Sequence, residues 1–354
     1  MFVAAALVLL LPLAGAATMG KPLAAYLQFP PKTPDVPHMP FSLPVFLGLT
    51  LLILAATVPL LLRQITFRQK DSPRKPVIPF PRWGWAGAGL GAASWILAWG
   101  RFPWMGGFQA HTFTPLWVAF ILLVNAFTAR RTGRCLMLSR TRSFLLLFPI
   151  SAGLWWSFEY LNRFVGNWRY AGVAGFGAVE YFLFATLPFS TVLPAVLSTR
   201  ALLLSYPRFD DAFLEWHPVS PAKPGAIGLA ALLLSCAGLF AVGIVPDAAF
   251  PLVWIAPPTL LISLAALRGE RHALSGIVSG DWRSPASSVL AALLCGFFWE
   301  MWNYGSDAKW VYDIPYVNVL HVFEMPLLGY AGYLPFGVLC AEIGDIIVGF
   351  VRKE

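Results

Sequence analysis

"WWSFEYLNRFVGNWRY", residues 155–170, closes an apolar run with one carboxylate, two amides and two arginines among seven aromatic rings. A second stretch has the same plan: from Phe298 to Tyr312 the chain reads "FWEMWNYGSDAKWVY". Each holds an aromatic residue, Glu, two residues, Asn, and then Trp-x-Tyr. Sliding the chain by 141 residues brings Ser143 onto Ser284, Glu159 onto Glu300 and Asn162 onto Asn303. Arg130 and Arg142 fall on Arg271 and Arg283. One inserted residue later Trp168 and Tyr170 meet Trp310 and Tyr312, and two more bring Glu180 onto Glu324.

The surroundings of these motifs set the class. Of 354 residues, 58% are hydrophobic and 12% charged, and mean hydropathy is +0.68. Soluble chains carry roughly a quarter charged residues, and about twenty apolar residues cross a bilayer core. Ten stretches qualify as candidate spans, near 2–19, 43–62, 84–100, 114–128, 143–161, 177–199, 224–245, 250–267, 286–303 and 317–350. The last contains Pro326 and Pro335, which predicts a break or bend. The expected fold is all-α, a polytopic transmembrane helical bundle of about ten spans. No basic residue precedes the first apolar run, so it reads as a retained anchor rather than a cleaved signal.

Basic residues orient the bundle. Segments 63–83, 129–142, 200–223, 268–283 and 351–354 hold 19 of the 25 Lys and Arg. The alternate connections hold Lys21, Lys32, Arg101, Arg163, Arg169 and Lys309. The positive-inside rule then predicts a multi-pass protein of the cell (inner) membrane with both termini cytoplasmic. Both Glu/Asn motifs fall at the outer face. The net charge of +8 is distributed as a topology signal, so no nucleic-acid partner is expected. Cys135, Cys236, Cys295 and Cys340 show no metal or redox spacing.

The repeat divides the chain into an N-terminal two-span region with a proline-rich outer loop (1–79), repeat A (80–205) and repeat B (220–354). Four spans per unit is an even number, so both units share one orientation. A parallel tandem repeat about the membrane normal follows, with the matching motifs around a shared central space.

Glu and Asn three residues apart share a helix face. A carboxylate within a span costs roughly 2.5–3.5 kcal/mol on insertion scales, so it turns toward protein or a wet cavity; close to the outer surface, it can instead snorkel and cap the bundle. Arg163 stands four residues after Glu159, a spacing that permits an ion pair, whereas the matching place after Glu300 is uncharged Tyr304. Glu324 has His321 one turn before it, where Glu180 has Gly177. Different surroundings for paired carboxylates are how a site divides acid from base. Segments 153–189 and 297–336 also carry 24 of the chain's 53 Phe, Trp and Tyr residues. That density exceeds an interfacial belt and suits an aromatic pocket able to stabilise a cation. The histidine spacing supports no metal, and no motif names a cofactor. "EYLNR" at 159–163 resembles part of the glutamate–arginine signature of intramembrane CAAX-type proteases, but their double Glu and later histidines are not supplied in order.

"WEMWNYGSDAKWVYDIPYVNVLHVFEMP", 299–326, resembles the small lycopene cyclase domain of the membrane type. In that family an aromatic-acid motif ends one span, a Trp-x-Tyr-like pair lies in the loop and an acidic motif opens the next span, often in tandem copies. The likeness covers about 143–199 and 286–340. The chain departs in having single Glu180 and Glu324, followed by Tyr181 and Met325, where the family has paired glutamates. The resemblance implies acid-initiated cyclisation or isomerisation of an isoprenoid alkene, carotenoid-like or other, with a membrane lipid or apolar isoprenoid as ligand. Glu300 and Glu324 are then acid candidates, and Glu159 and Glu180 base or electrostatic partners. Asn162, Asn303, Trp168, Trp310, Tyr170, Tyr312 and His321 are the expected substrate-binding residues. The rival is a transporter or lipid-binding protein using the same inter-repeat cavity without chemistry.

Orientation is testable from the charge split alone. An impermeant thiol reagent added outside is expected to label Gly166→Cys and to spare Gly133→Cys; the reverse pattern would invert every placement.

Overall fold

The computed structural model describes residues 2–29, 36–68, 78–173 and 175–351. Lys32, Lys70, Arg74, Lys75, Arg352 and Lys353, counted in the charge split, lie outside the described residues. The long helices are α1 (Phe2–Thr18), α2 (Leu43–Thr66), α3 (Arg82–Gly100), α4 (Phe113–Thr132) and α5 (Thr141–Val165). Strand β1 (Trp168–Ala171) precedes α6 (Ala178–Ser190) and α7 (Val192–Leu204). Then come α8 (Pro224–Ile244), α9 (Leu252–Leu267), α10 (Arg283–Gly305), β2 (Lys309–Tyr312), β3 (His321–Val322), β4 (Met325–Pro326) and α11 (Tyr333–Val351).

Seven helical segments among the described residues are long and apolar enough to cross a membrane: 43–66, 103–132, 141–165, 178–204, 224–244, 283–305 and 327–348. Each of the ten expected stretches contains a helix, but α1 and α9 have only 17 and 16 residues, and α3 carries five glycines. The last expected span is broken, as its prolines predict. Residues 317–332 form the β3–β4 hairpin and a 3-10 turn, and the helix starts only at Tyr333. Glu324 therefore sits in a hairpin turn, whereas Glu180 lies in the first turn of α6.

The helix ends that carry the motifs stop for local reasons. At the end of α5, Gly166 takes a left-handed φ of 63° and donates its N–H to the Asn162 carbonyl at 2.7 Å. At the end of α10, Ser306 donates to the Asn303 carbonyl at 3.0 Å. The chain then leaves both helices into β1 and β2, which pair antiparallel: Trp168 faces Tyr312, Arg169 faces Val311, Tyr170 faces Trp310 and Ala171 faces Lys309.

Helices pack within each half, α3 on α4 and α8 on α9, and across halves, α7 on α10 and α5 on α11. The N-terminal region is not detached. α1 crosses α8 at Gly15 and Gly243, where an added Cβ would overlap the Phe240 or Pro12 carbonyl, and the Lys21 ammonium donates to the Gly243 carbonyl at 2.9 Å. Residues 36–42 lie across the loops that follow α5 and β2. His38 bonds Asp247 at 2.8 Å and the Gly166 carbonyl at 3.3 Å, and Ser42 donates its N–H to the Tyr316 carbonyl. Gly166 is thus partly covered, and Gly175, exposed with open space around its Cβ, is the better outer labelling position. α2 has no buried residue and is held at its ends, where Arg63 donates to the Ala212 carbonyl at 2.7 Å.

The crossing of α1 and α8 depends on backbone-to-backbone approach, and overpacking a close contact costs about 1–3 kcal/mol. Gly243→Leu is expected to lower the melting temperature in detergent by a few degrees, whereas Gly48→Leu, with nothing near its Cβ, leaves it unchanged. Equal melting temperatures would remove the glycine contact as a determinant.

Candidate functional site

Glu159 and Glu300 do not snorkel. They are 2% and 0% exposed, each inside a cage of aromatic hydrogen-bond donors. Helix spacing and the ribbon register build the cages together. Asn162, one turn after Glu159, donates its amide to the Trp168 carbonyl at 2.7 Å and accepts the Trp168 N–H at 3.2 Å. Asn303 does the same to Trp310, at 2.7 and 2.9 Å. These clamps turn the chain back over the end of its own helix. Trp168 and Tyr170 thereby face Glu159, whose Oε1 accepts from Trp168 Nε1 at 3.1 Å, Tyr170 OH at 2.6 Å and Trp155 Nε1 at 3.1 Å.

The second cage differs in detail. Glu300 Oε1 accepts from Tyr312 OH at 2.9 Å and Tyr333 OH at 2.7 Å, and Trp310 Nε1 donates to the Tyr312 oxygen at 2.8 Å. Glu300 Oε2 is buried with no hydrogen-bond partner among the described residues. Burial and the neighbouring carboxyl push the Tyr170 and Tyr312 phenols well above their ordinary values, so both remain donors.

All six donors, Trp155, Trp168, Tyr170, Trp310, Tyr312 and Tyr333, line one cavity of about 80 Å³. Trp254, Trp299, Phe113, Phe189, Tyr181 and Phe184 complete its aromatic wall. The two carboxyl groups stand one hydrogen bond behind that wall. A second, largely apolar cleft of about 530 Å³ opens between α1, α5, α9 and α11, with Ser157 among its lining residues. Phe158 lines the cleft and stacks on Trp254 of the cavity at 4.9 Å, so this pair of stacked rings lies between the two spaces.

Of the residues expected at the site, the structure brings together Glu159, Glu300, Asn162, Asn303, Trp168, Trp310, Tyr170 and Tyr312. The others stand apart. Glu180 is exposed on the first turn of α6. Glu324 forms an ion pair with Lys309 at 2.5 Å, because the hairpin turn places it beside β2. His321 is exposed and bonds Asn318 at 3.1 Å. Arg163 does not pair with Glu159; it donates to the Tyr26 carbonyl at 2.6 Å. Tyr304 is 54% exposed, away from the cage. Trp155 and Tyr333 were not singled out from sequence. Trp155 lies four residues before Glu159 on the same helix face, a signal available from spacing. Tyr333 is recruited from the next element, and only the alignment of Phe189 with Tyr333, continuing the Glu180–Glu324 offset, points toward it.

Among the described residues no three His, Cys, Asp or Glu side chains come together as a metal site. Searches of protein-family models, curated proteins and solved structures give no match to the chain. The likeness to lycopene cyclase domains thus stands on the motif residues themselves.

Removing either Asn leaves a buried backbone N–H and C=O without partners, roughly 1–3 kcal/mol for each group. Asn162→Ala and Asn303→Ala are each expected to lower the melting temperature well beyond the effect of Tyr304→Ala, and to reduce the near-ultraviolet circular dichroism of the packed rings. An unchanged spectrum would show that the ribbon holds without its clamps.

Proposed function

We propose that this chain is an integral membrane enzyme that isomerises or cyclises an isoprenoid or related lipid alkene by acid initiation. The observation that carries it is the single aromatic cavity whose walls supply the donors to two buried carboxyl groups. Protonation of a carbon–carbon double bond makes a C–H bond and leaves a carbocation. Aromatic faces stabilise such a cation, and an absence of water keeps it from being trapped. Loss of a neighbouring proton to a base then completes a redox-neutral rearrangement. Glu300, with no cation paired to it and one oxygen unpartnered, is the proposed acid source. Glu159, with three donors on one oxygen, is the proposed electrostatic partner and base.

The two cages also support a tandem repeat with a pseudo-two-fold axis. In the ribbon Arg169 faces Val311, its own counterpart in the alignment, and Trp168 faces Tyr312 as Tyr170 faces Trp310. An antiparallel pair centred on equivalent residues has a local two-fold there. The packing of α7 on α10 and of α5 on α11 is reciprocal in the same sense. With that axis along the membrane normal, the Lys and Arg distribution supports a cavity near the outer leaflet of a cell membrane and both termini cytoplasmic.

The 80 Å³ cavity admits the end of a chain, and the cleft of about 530 Å³ on the far side of Phe158 and Trp254 is a separate space with room for a lipid tail. That cleft is also what favours the second function, lipid binding without chemistry. Purified protein extracted for lipids and analysed by mass spectrometry is expected to yield a polyene or prenyl lipid that changes on incubation. Glu300→Gln keeps shape and hydrogen bonding and is expected to bind the lipid but abolish conversion. Gly153→Phe, at an open position on the cleft wall, is expected to reduce the amount retained. Retention of an unaltered lipid by wild type and Glu300→Gln alike would leave binding as the function.

A further inference from the structure

We infer that Tyr333 is a catalytic residue, its hydroxyl carrying the proton between Glu300 and the ligand in the aromatic cavity; this rests on the enzymatic function proposed above. Three observations lead to it. Tyr333 lines the cavity at the start of α11 while donating its hydroxyl to Glu300 Oε1 at 2.7 Å. It therefore touches both the ligand space and the carboxyl. Tyr312, the other phenol on Glu300, already accepts the Trp310 indole N–H. Among the described residues the Tyr333 hydroxyl has Glu300 as its one hydrogen-bond partner, so its oxygen accepts from no other group there.

The third observation is a paired exchange between the halves. The residue matching Tyr333 is Phe189, which also lines the cavity but has no hydroxyl. The residue matching Trp155 is Gly296, where any Cβ would strike the Tyr333 ring. So in one half a large Trp fills the space and gives an indole N–H to Glu159, beside Phe189 at 6.1 Å. In the other half a glycine clears the space and lets a tyrosine hydroxyl reach Glu300. An indole N–H only donates, whereas a phenol both donates and accepts. The exchange keeps a donor on each carboxyl and places an additional group able to pass a proton beside Glu300.

The step balances as a relay. With ligand bound, the Tyr333 hydroxyl turns about its C–O bond so that the protonated Glu300 carboxyl donates across the 2.7 Å contact, and the Tyr333 proton goes to the alkene carbon, forming a C–H bond and a carbocation. The carboxyl proton of Glu300 moves to the Tyr333 oxygen. Tyr333 ends unchanged, and the Glu300 carboxylate faces the cation until a neighbouring C–H proton is lost to Glu159, the base proposed above.

The test uses full-length protein in liposomes made in deuterated buffer, with lycopene and geranylgeraniol as separate probes. Mass spectrometry reads deuterium incorporated into carbon, and quenching of tryptophan fluorescence reads binding of the same probe. Tyr333→Phe restores the side chain found at 189 and fits beside Gly296. It is expected to lower incorporation by at least ten-fold, a positioned acid contributing about 10²–10⁴-fold, while the Kd changes by less than about three-fold. Tyr206→Phe, on the opposite side of the molecule over Arg131, is expected to match wild type. Undiminished incorporation in Tyr333→Phe would overturn the relay, as would a loss of binding equal to the loss of incorporation. Wild type that binds either probe without incorporating deuterium would instead overturn the proposed enzyme, and the relay with it.

Discussion

The structure depends on one short antiparallel ribbon. Four residues of β1 and four of β2 pair across the helical bundle, joining the chain that follows α5 to the chain that follows α10. A buried carboxyl group must be hydrogen-bonded or its desolvation is uncompensated. The donors that satisfy Glu159 and Glu300 are largely carried on that ribbon. Slipping its register by one residue would turn Trp168, Tyr170, Trp310 and Tyr312 to the opposite face and strip both cages at once. The Asn clamps prevent this by tying the first backbone peptide of the Trp in each strand to the last turn of a helix.

Within this shared frame the halves diverge where the ligand space begins. After β1 the chain passes into α6 with little detour. Between β2 and α11 it carries the β3–β4 hairpin, and there Tyr316, Leu320 and Phe323 all adopt positive φ, an unfavourable conformation for side chains of this size. The N-terminal strap holds Tyr316 through two backbone hydrogen bonds, from Ser42 and to Met39. The hairpin allows Tyr333, rather than a residue further along a continuous helix, to meet Glu300. The strain in the loop and the unpartnered Glu300 oxygen therefore occur in the same half. On the proposed function, this is where the chemistry is concentrated, while the Glu159 half supplies a fixed field.

Much of this was legible in the sequence because it is written in local spacing. Apolar run length and the deficit of charge gave the helical membrane class. Glu and Asn three apart gave one helix face, and the duplicated Trp-x-Tyr gave the residues that meet them. Where the outcome depends on partners distant in sequence, spacing misled. Arg163 stands at ion-pair distance along the helix, yet the Tyr26 carbonyl, 137 residues away, takes its guanidinium. Glu324 aligns with Glu180, but prolines and the hairpin keep it off a helix and beside Lys309. Three of the ten expected spans do not meet the length and composition of a membrane-crossing helix: two are short, and α3 is rich in glycine. Tyr333 was harder to see for a simpler reason: its bond to Glu300 depends on the absence of a side chain at Gly296, and only its alignment with Phe189 hints at it.

The most direct measurement addresses the ribbon. Ala171 and Lys309 face each other at its end, and paired strand positions lie within the Cα separation that a disulfide tolerates. In the Ala171→Cys, Lys309→Cys double variant, mild oxidation should give a rapid intramolecular cross-link in membranes, seen as a mobility change reversed by reductant. Pairing Ala171→Cys with Gly175→Cys instead should give none. Failure of the first pair to cross-link under conditions where both thiols can be labelled would contradict the joining of the two halves at this point, and with it the shared cavity.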